Sequence, residues 1–241
     1  MPPAIRIDFA RPMALFPLPS VVVFPHTAEW LVAFEPRYRQ LVEDCLRART
    51  DGKLLSAAPF AMATYASRHW RGTRVGEPPL RPAVCVVKMV DHRALPDGRH
   101  QILVHGMARA EIDSIAEPDG RRLYRLARLR PLHARNDAAR RMPELEASIE
   151  KLVNSGELAR MPRLEQVRQW IRKGNVPTEV LVEQLNDLLS RGDACRYGLL
   201  AEANGRLRAR FMLSELHHLS TLLGDAARRT PASDTRGTGL N

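Results

Sequence analysis

The sequence predicts an α+β protein in which a small, mostly antiparallel, barrel-like sheet with one inserted helix precedes a C-terminal bundle of helices. Before about residue 133, short apolar runs alternate with Pro/Gly turns, which is typical of short strands in one sheet. After it, apolar residues recur at helical spacing, and such stripes must be buried against another element. We therefore expect a flexible N-terminus over 1–12, a sheet domain over 13–133, a helical subdomain over 134–224 and a disordered tail over 225–241.

The first elements are predicted from prolines and apolar runs. The segment from Leu15 to Pro19 leads into that from Val21 to Pro25, and we expect edge strands or extended connections because proline donates no ladder hydrogen bond. The apolar run from Trp30 to Phe34 predicts a further strand. Pro36 then opens a helix whose apolar stripe has helical spacing: Tyr38, Leu41, Val42, Cys45 and Leu46.

The rest of the sheet is predicted from apolar runs and turn signatures. We expect a strand from Lys53 to Ala58 and a long irregular loop over 59–81, where prolines and glycines leave no clear period. The run from Val84 to Val90 is typical of a strand buried on both faces. Two hairpin turns are predicted at Pro96-Asp97-Gly98 and at Asp119-Gly120.

Five amphipathic helices are predicted in the C-terminal half. Their apolar stripes cover about residues 145–153, 164–171, 177–189, 193–201 and 206–223. From Gly224 onwards the chain has little to bury, which predicts disorder.

Composition favours a soluble cytoplasmic protein. Hydrophobic residues make up 44% of the chain, enough for a core without disulfides. Cys45, Cys85 and Cys195 are scattered and odd in number, which predicts buried free thiols in a reducing compartment. Neither a signal peptide nor an apolar run of bilayer length is present, so we expect no membrane partner.

The formal net charge of +10 leaves two interpretations open. It favours an acidic or nucleic-acid partner, or it reflects an arginine-rich proteome, since the charge is spread along the chain. Nucleic-acid binding rests mainly on five arginines of one predicted hairpin: Arg121, Arg122, Arg125, Arg128 and Arg130. Aromatic residues make up only 5% of the chain and form no stacking motif, so a solvated basic face is the stronger interpretation.

Several motifs resemble the amino-terminal domain of the Lon proteases. The segments 15–25 and 34–42 are similar to the opening signature of that family, and 95–99 with 104–106 is similar to its hairpin. The similarity continues through the helical segments to Leu223. The motif residues, for which we expect structural roles, are Phe16, Pro17, Leu18, Pro19, Phe24, Pro25, Phe34, Glu35, Pro36, Arg37, Tyr38, Asp97, Gly98 and Gly106.

This resemblance implies a PUA-like pseudobarrel followed by a helical bundle. It also implies non-catalytic binding of unfolded or partner proteins, with a role as an adaptor in proteolysis or quality control. The chain contains no phosphate-binding G-x-x-x-x-G-K-[ST] loop and offers no convincing Ser–Lys pair, so we expect a stand-alone member without ATPase or protease activity. One departure is His26, which follows Pro25 where the family usually has glycine, so a different turn is expected there.

Candidate sites are few. Tyr65 and Trp70 lie in the predicted loop and either anchor a peptide or tuck beneath the loop. No histidine or cysteine spacing is typical of a metal site, and we expect no catalytic residue, cofactor or metal. Nucleic-acid binding is the alternative function, and a peptidase is the third hypothesis. The sequence assigns neither a binding groove nor an oligomeric state.

Overall fold

The computed structural model describes residues 7–66, 78–132 and 142–229. These residues contain six strands: β1 (Met13–Leu18), β2 (Ala28–Ala33), β3 (Phe60–Thr64), β4 (Ala83–Ala94), β5 (His100–Ala116) and β6 (Leu126–Pro131). The helices are α1 (Pro36–Arg47), α2 (Pro143–Val153), α3 (Glu165–Lys173), α4 (Thr178–Leu189), α5 (Asp193–Ala201) and α6 (Gly205–Arg229). The α+β class is confirmed, and the predicted boundary at residue 133 lies outside the described residues.

Five of the strands close a barrel. β1 pairs with β3, β3 with β4, β4 with β5, β5 with β6, and β6 returns to β1. Only the β1–β3 pair is parallel among these, so the prediction of a mostly antiparallel sheet is confirmed. β2 lies outside this ring, because its ladder runs only along His100–His105 of β5.

β1, β3 and the first part of β4 are buried on both faces, whereas β6 and the ends of β4 and β5 have exposed residues. Small and branched residues from all five ring strands fill the interior, including Leu15, Ala63, Val86, Ala110 and Ala127. The opposite face packs against α1, α5 and the 21–24 segment. Double-sided burial is why the first part of β4, residues 83–90, is a nearly continuous apolar run.

β1 is not an edge strand, which corrects the prediction made from its prolines. It pairs with β3 along its length, and Pro17 is tolerated because the β6 pairing on the other side involves only Met13 and Ala14. The following residues Val22, Val23 and Phe24 are buried but form no strand.

The strand predicted from Lys53 to Ala58 is wrong. A single 3₁₀ turn, Leu54–Ser56, lies there, and the strand is Phe60–Thr64, inside the region predicted as an irregular loop. Every residue of β3 is buried, so the strand shows no alternation of apolar and polar residues. The residues between Pro59 and residue 66 include several small ones, which weakens the sequence pattern that would predict a strand.

The helix α1 matches its predicted stripe. Tyr38, Leu41, Val42 and Cys45 are buried, and the Tyr38 ring stacks on Phe16 with centroids 4.1 Å apart. The outer face is also fixed. The Gln40 side chain donates to the Arg121 carbonyl (2.6 Å) and accepts from the Leu123 amide (2.7 Å), which ties α1 to the β5–β6 connection.

The C-terminal helices form a second core. Its buried residues come from α2, α3, α4 and α6 and include Ile149, Val167, Leu185, Met212 and Leu216. No helix in the described part of the chain is long and apolar enough to cross a membrane.

Both predicted flexible ends need correction. Ile7 and Phe9 pack against the barrel core, so the flexibility expected over 1–12 does not apply to them. α6 runs to Arg229, beyond the predicted end, because Ala226 and Ala227 favour helix and Arg228 pairs with Asp225 one turn earlier. The residues from 230 onwards lie outside the described part.

A buried ionic junction, formed by Arg109, Glu183 and Arg208, joins the barrel to the helices. The Glu183 carboxylate, 0% exposed, accepts from Arg109 Nη2 on β5 (2.6 Å) and from Arg208 Nε on α6 (2.8 Å). Both guanidinium groups also donate to backbone carbonyls between residues 199 and 203. Every charge at this junction therefore has a partner, as buried charges require.

Candidate functional site

The most exposed apolar surface in the barrel half lies on β2 and the residue that follows it. Trp30 is 51% exposed, Val32 44% and Phe34 59%, whereas the intervening Leu31 and Ala33 are buried. Since side chains alternate along an extended chain, the three exposed residues face the same way. We call Trp30, Val32 and Phe34 the β2 surface.

The neighbouring strand extends this surface. Leu103 of β5 lies opposite Trp30, and Gln101 lies opposite Val32. Both are half-buried, and Leu103 therefore extends the apolar surface from β2 onto β5, beside the polar Gln101. Clustered rather than single exposed apolar side chains mark an interaction surface.

One edge of β2 is unpaired. Within the described ranges, residues 28–34 make no backbone hydrogen bond to another segment apart from the β2–β5 ladder. The Gly106 amide donates to the Thr27 carbonyl (2.9 Å), so the alternation of an antiparallel ladder turns residues 29, 31 and 33 towards β5. The amides and carbonyls of residues 28, 30 and 32 consequently face the free edge.

A bulge fixes the entry into β2. His26 has a φ of 65°, and its amide donates to the Gly106 carbonyl (2.8 Å). This left-handed conformation is one that glycine adopts easily, so histidine at this position does not by itself require a different turn. A Cβ on Gly106 would lie 2.0 Å from the Phe24 carbonyl oxygen, so only glycine allows the two backbones to approach here. The side-chain amide of Gln184, on α4, also donates a hydrogen bond to the His26 carbonyl.

An acidic spot lies at the start of β2, on the face opposite the β2 surface. Burial raises the pKa of Glu29, the nearby Asp187 raises it further, and Arg196 lowers it. Arg196 is itself bound by Asp187 (2.5 Å), and no ion pair in the described residues involves Glu29. Glu29 is therefore an exposed carboxylate, and Arg196, the cation that lowers its pKa, is already bound by Asp187.

The motif residues mostly lie in the core or in turns. Phe16, Pro17, Phe24, Pro25 and Tyr38 are buried, and Leu18 is half-buried at the end of β1.

The other motif residues shape turns and helix ends. Glu35 and Arg37 form an ion pair (2.8 Å) at the start of α1, where Pro36 opens the helix. Gly98 takes a φ of 78° in the turn after Asp97, while Pro19 is exposed. Phe34 is the exception, since its side chain contributes to the β2 surface.

The two aromatic loop candidates are not brought together. Tyr65 is 3% exposed, and its hydroxyl accepts from Arg37 Nη2 (3.1 Å), so it is tucked into the core and cannot anchor a peptide. Trp70 lies outside the described residues. A small surface cleft beside Tyr38 is lined by Arg37, Pro118 and Tyr124.

The arginine cluster is largely neutralised. Arg125 is buried and binds Glu117 (2.9 Å), Arg122 lies near Asp119 (3.4 Å), and Arg130 binds Glu111 (2.6 Å). Arg121 and Arg128 are exposed. These five residues therefore do not form one continuous basic patch.

Metal and thiol chemistry have little support in the described part of the chain. No group of three or more His, Cys, Asp or Glu side chains there could hold a metal ion. Burial raises the pKa of the Cys45 and Cys85 thiols to about 12.

The family model for the substrate-binding domain of ATP-dependent protease La (Lon) matches residues 12–218. The structure is similar to a Lon N-terminal domain protein from Xanthomonas campestris (TM-score 0.56, 20% identity), covering 85% of this chain and 98% of that one.

A second similar structure is the N-terminal domain of a Mycobacterium avium complex Lon protease. Its TM-score is 0.60 at 14% identity, and the match covers 86% of this chain and 98% of that one. At these identities the structural matches establish the fold. No curated protein sequence matches the chain significantly.

Proposed function

The chain belongs to the Lon substrate-binding domain family, and from this premise we propose that it binds unfolded or partner polypeptides, without cleaving them, through the β2 surface. Membership of the family supports a substrate-binding role. The proposed biological setting is that of an adaptor in proteolysis or quality control, in the reducing compartment that three free cysteines favour.

The observation that carries this proposal is the exposed stripe of Trp30, Val32 and Phe34. Burying the exposed parts of these side chains removes roughly 250 Å² of apolar area from water. This burial contributes about 6 kcal/mol, from which the entropy cost of association must be subtracted. Affinities of tens of micromolar at best therefore follow for a single segment held by these three side chains alone. Weak, apolar and sequence-tolerant binding suits a protein that contacts many unfolded chains.

The alternative, nucleic-acid binding through the arginine hairpin, has weaker support. Three of its five arginines are engaged by carboxylates of the same barrel. If nucleic acid were the ligand, affinity for a DNA or RNA oligonucleotide would fall steeply with salt. Polypeptide binding through the β2 surface predicts much weaker salt dependence, because its contacts are apolar.

The test measures binding of a permanently unfolded protein, reduced and carboxymethylated lactalbumin, by fluorescence anisotropy. The double variant Trp30→Ser/Phe34→Ser is expected to weaken binding at least tenfold. Leu222→Ser on α6 is the matched control, since Leu222 is also 51% exposed, and we expect less than a twofold change. Equal affinities for the double variant and the wild type would exclude the β2 surface as the site.

Cleavage is tested in the same preparation. The lactalbumin should stay intact during prolonged incubation, with or without ATP. Fragments that disappear after a single point substitution in this chain would contradict the non-catalytic proposal.

A further inference from the structure

We infer that the polypeptide bound at the β2 surface is an extended segment that adds a strand to the free edge of β2 and carries a lysine or arginine opposite Glu29. This inference rests on the proposed function. It specifies the conformation and the chemistry of the segment bound at that site.

The backbone of β2 determines the conformation of the partner. The amides and carbonyls of residues 28, 30 and 32 face the free edge and have no partner there among the described residues. An extended chain lying about 4.7–4.9 Å from β2, the usual distance between paired strands, offers matching donors and acceptors to these groups. A helical segment keeps its own backbone hydrogen bonds and satisfies none of these groups.

Of the features that usually prevent strand addition, the described residues place only one charge, Glu29, on this edge. Residues 28–34 contain neither proline nor lysine, and the nearest bulge lies before the strand, at His26. Folded proteins normally protect a long apolar edge by one of these devices. The five ring strands need no such protection because the barrel is closed.

The side chains determine which residues the added strand carries. Residues directly opposite Trp30 and Val32 project onto the exposed apolar face, so apolar side chains fit there. The residue opposite Glu29 projects to the other face of the sheet. Because Glu29 lies near Asp187 and Arg196 is bound by Asp187, a cation in the added strand provides the charge that this spot lacks.

The first experiment uses two eight-residue fluorescent peptides that alternate valine with threonine and contain one lysine. In one peptide the amides of the apolar positions are N-methylated, and in the other the amides of the intervening positions. Strand addition directs only one of the two sets towards β2. We expect one methylated peptide to lose at least tenfold in affinity and the other less than threefold; equal effects of the two sets would overturn the inference.

The second experiment follows amide hydrogen exchange in the full chain with the unmethylated peptide. The amides of Trp30 and Val32 face the free edge, so their exchange should slow at least tenfold on binding. Those of Leu31 and Ala33 already face β5 and should change little. Unchanged exchange at Trp30 and Val32 in the peptide-saturated protein would contradict strand addition.

The third experiment swaps charges. Replacing the peptide lysine by glutamate should weaken binding several-fold in the wild type, and Glu29→Lys should restore the affinity of that peptide. Failure of this rescue would overturn the lysine or arginine assignment.

The two proposals fail in different ways. If lactalbumin binding depends on Trp30 and Phe34 but neither methylation nor amide exchange responds as stated, strand addition is wrong and the proposed function stands. If lactalbumin binding is also indifferent to Trp30 and Phe34, the proposed function fails as well.

Discussion

Removal of the Glu183 carboxylate should destabilise the whole protein. This group lies between Arg109 and Arg208, and all three side chains are at most 4% exposed. In Glu183→Gln the two guanidinium groups keep their burial and lose the charge between them. The neutral amide also turns an NH₂ group towards one of these donors.

The size of the effect follows from the burial of the group. Removing one partner of a buried ion pair costs about 3–5 kcal/mol. Domains of this length lose roughly 2–4 °C of Tm per kcal/mol, so the expected drop is about 6–20 °C. Because the junction connects β5 to α4 and α6, barrel and helices should lose stability together.

Urea and thermal unfolding followed by circular dichroism measure this change. Glu157→Gln is the control, because its ion pair with Arg160 (3.1 Å) is on the surface and contributes at most about 1 kcal/mol. If Glu183→Gln unfolds within about 1 kcal/mol of the wild type, the junction is not a major link between the two halves.

Three further predictions concern the bulge, the thiols and pH. Gly106→Ala places a Cβ 2.0 Å from a backbone carbonyl oxygen and should destabilise by about 2–4 kcal/mol in urea unfolding; Gly198→Ala, with open space around it, is the control and should be neutral or slightly stabilising. In the native protein at pH 8, Ellman's reagent should modify Cys195 first, and fast modification of all three thiols without denaturant would contradict the burial and the raised pKa of Cys45 and Cys85. Burial lowers the pKa of His92 and His105, with His100 and His26 as the respective second causes. The two neutral histidines therefore make their full contribution to stability above the unfolded-state pKa of about 6.5. This contribution is lost as the pH falls from there through the lower pKa values of the folded state. Urea unfolding between pH 7.5 and 5 should show this decline, which His92→Gln and His105→Gln should reduce; an unchanged slope in both variants would argue against the assignment.

Local patterns predicted much of the fold. The α1 stripe, the apolar β4 run and the Asp97-Gly98 turn each depend on residues close in sequence, and the structure places them as expected. β3 was missed because a short strand buried on both faces has no alternation. Its register is determined by the parallel pairing with β1, more than forty positions away in the chain.

The candidate site was harder to predict. Trp30, Val32 and Phe34 belong to an apolar run, and a sequence cannot tell which face of such a run is covered. Their exposure depends on β2 leaving the ring to pair only with the first part of β5. The ionic junction was also missed, because Arg109 and Glu183 are 74 positions apart and the pair is recognisable only in the folded chain.

The arginine hairpin illustrates the opposite error. Five basic residues in ten positions suggested a basic face, but the acidic partners Glu111, Glu117 and Asp119 come from the neighbouring strand and turn. The Glu111–Arg130 pair follows from the β5–β6 register, whereas the other two pairs lie in the connection between these strands. Charge density along a sequence is therefore a poor guide to surface charge when the strands pair with each other.

The most direct test of polypeptide binding at the β2 surface is photo-crosslinking. A benzophenone amino acid replaces Val32 on β2 in one preparation and Leu222 on α6 in another, and each is irradiated with carboxymethylated lactalbumin. Binding at the β2 surface predicts strong crosslinking from position 32, competed by the alternating valine–threonine peptide, and little from position 222. Equal crosslinking from both positions, or none from position 32, would contradict it.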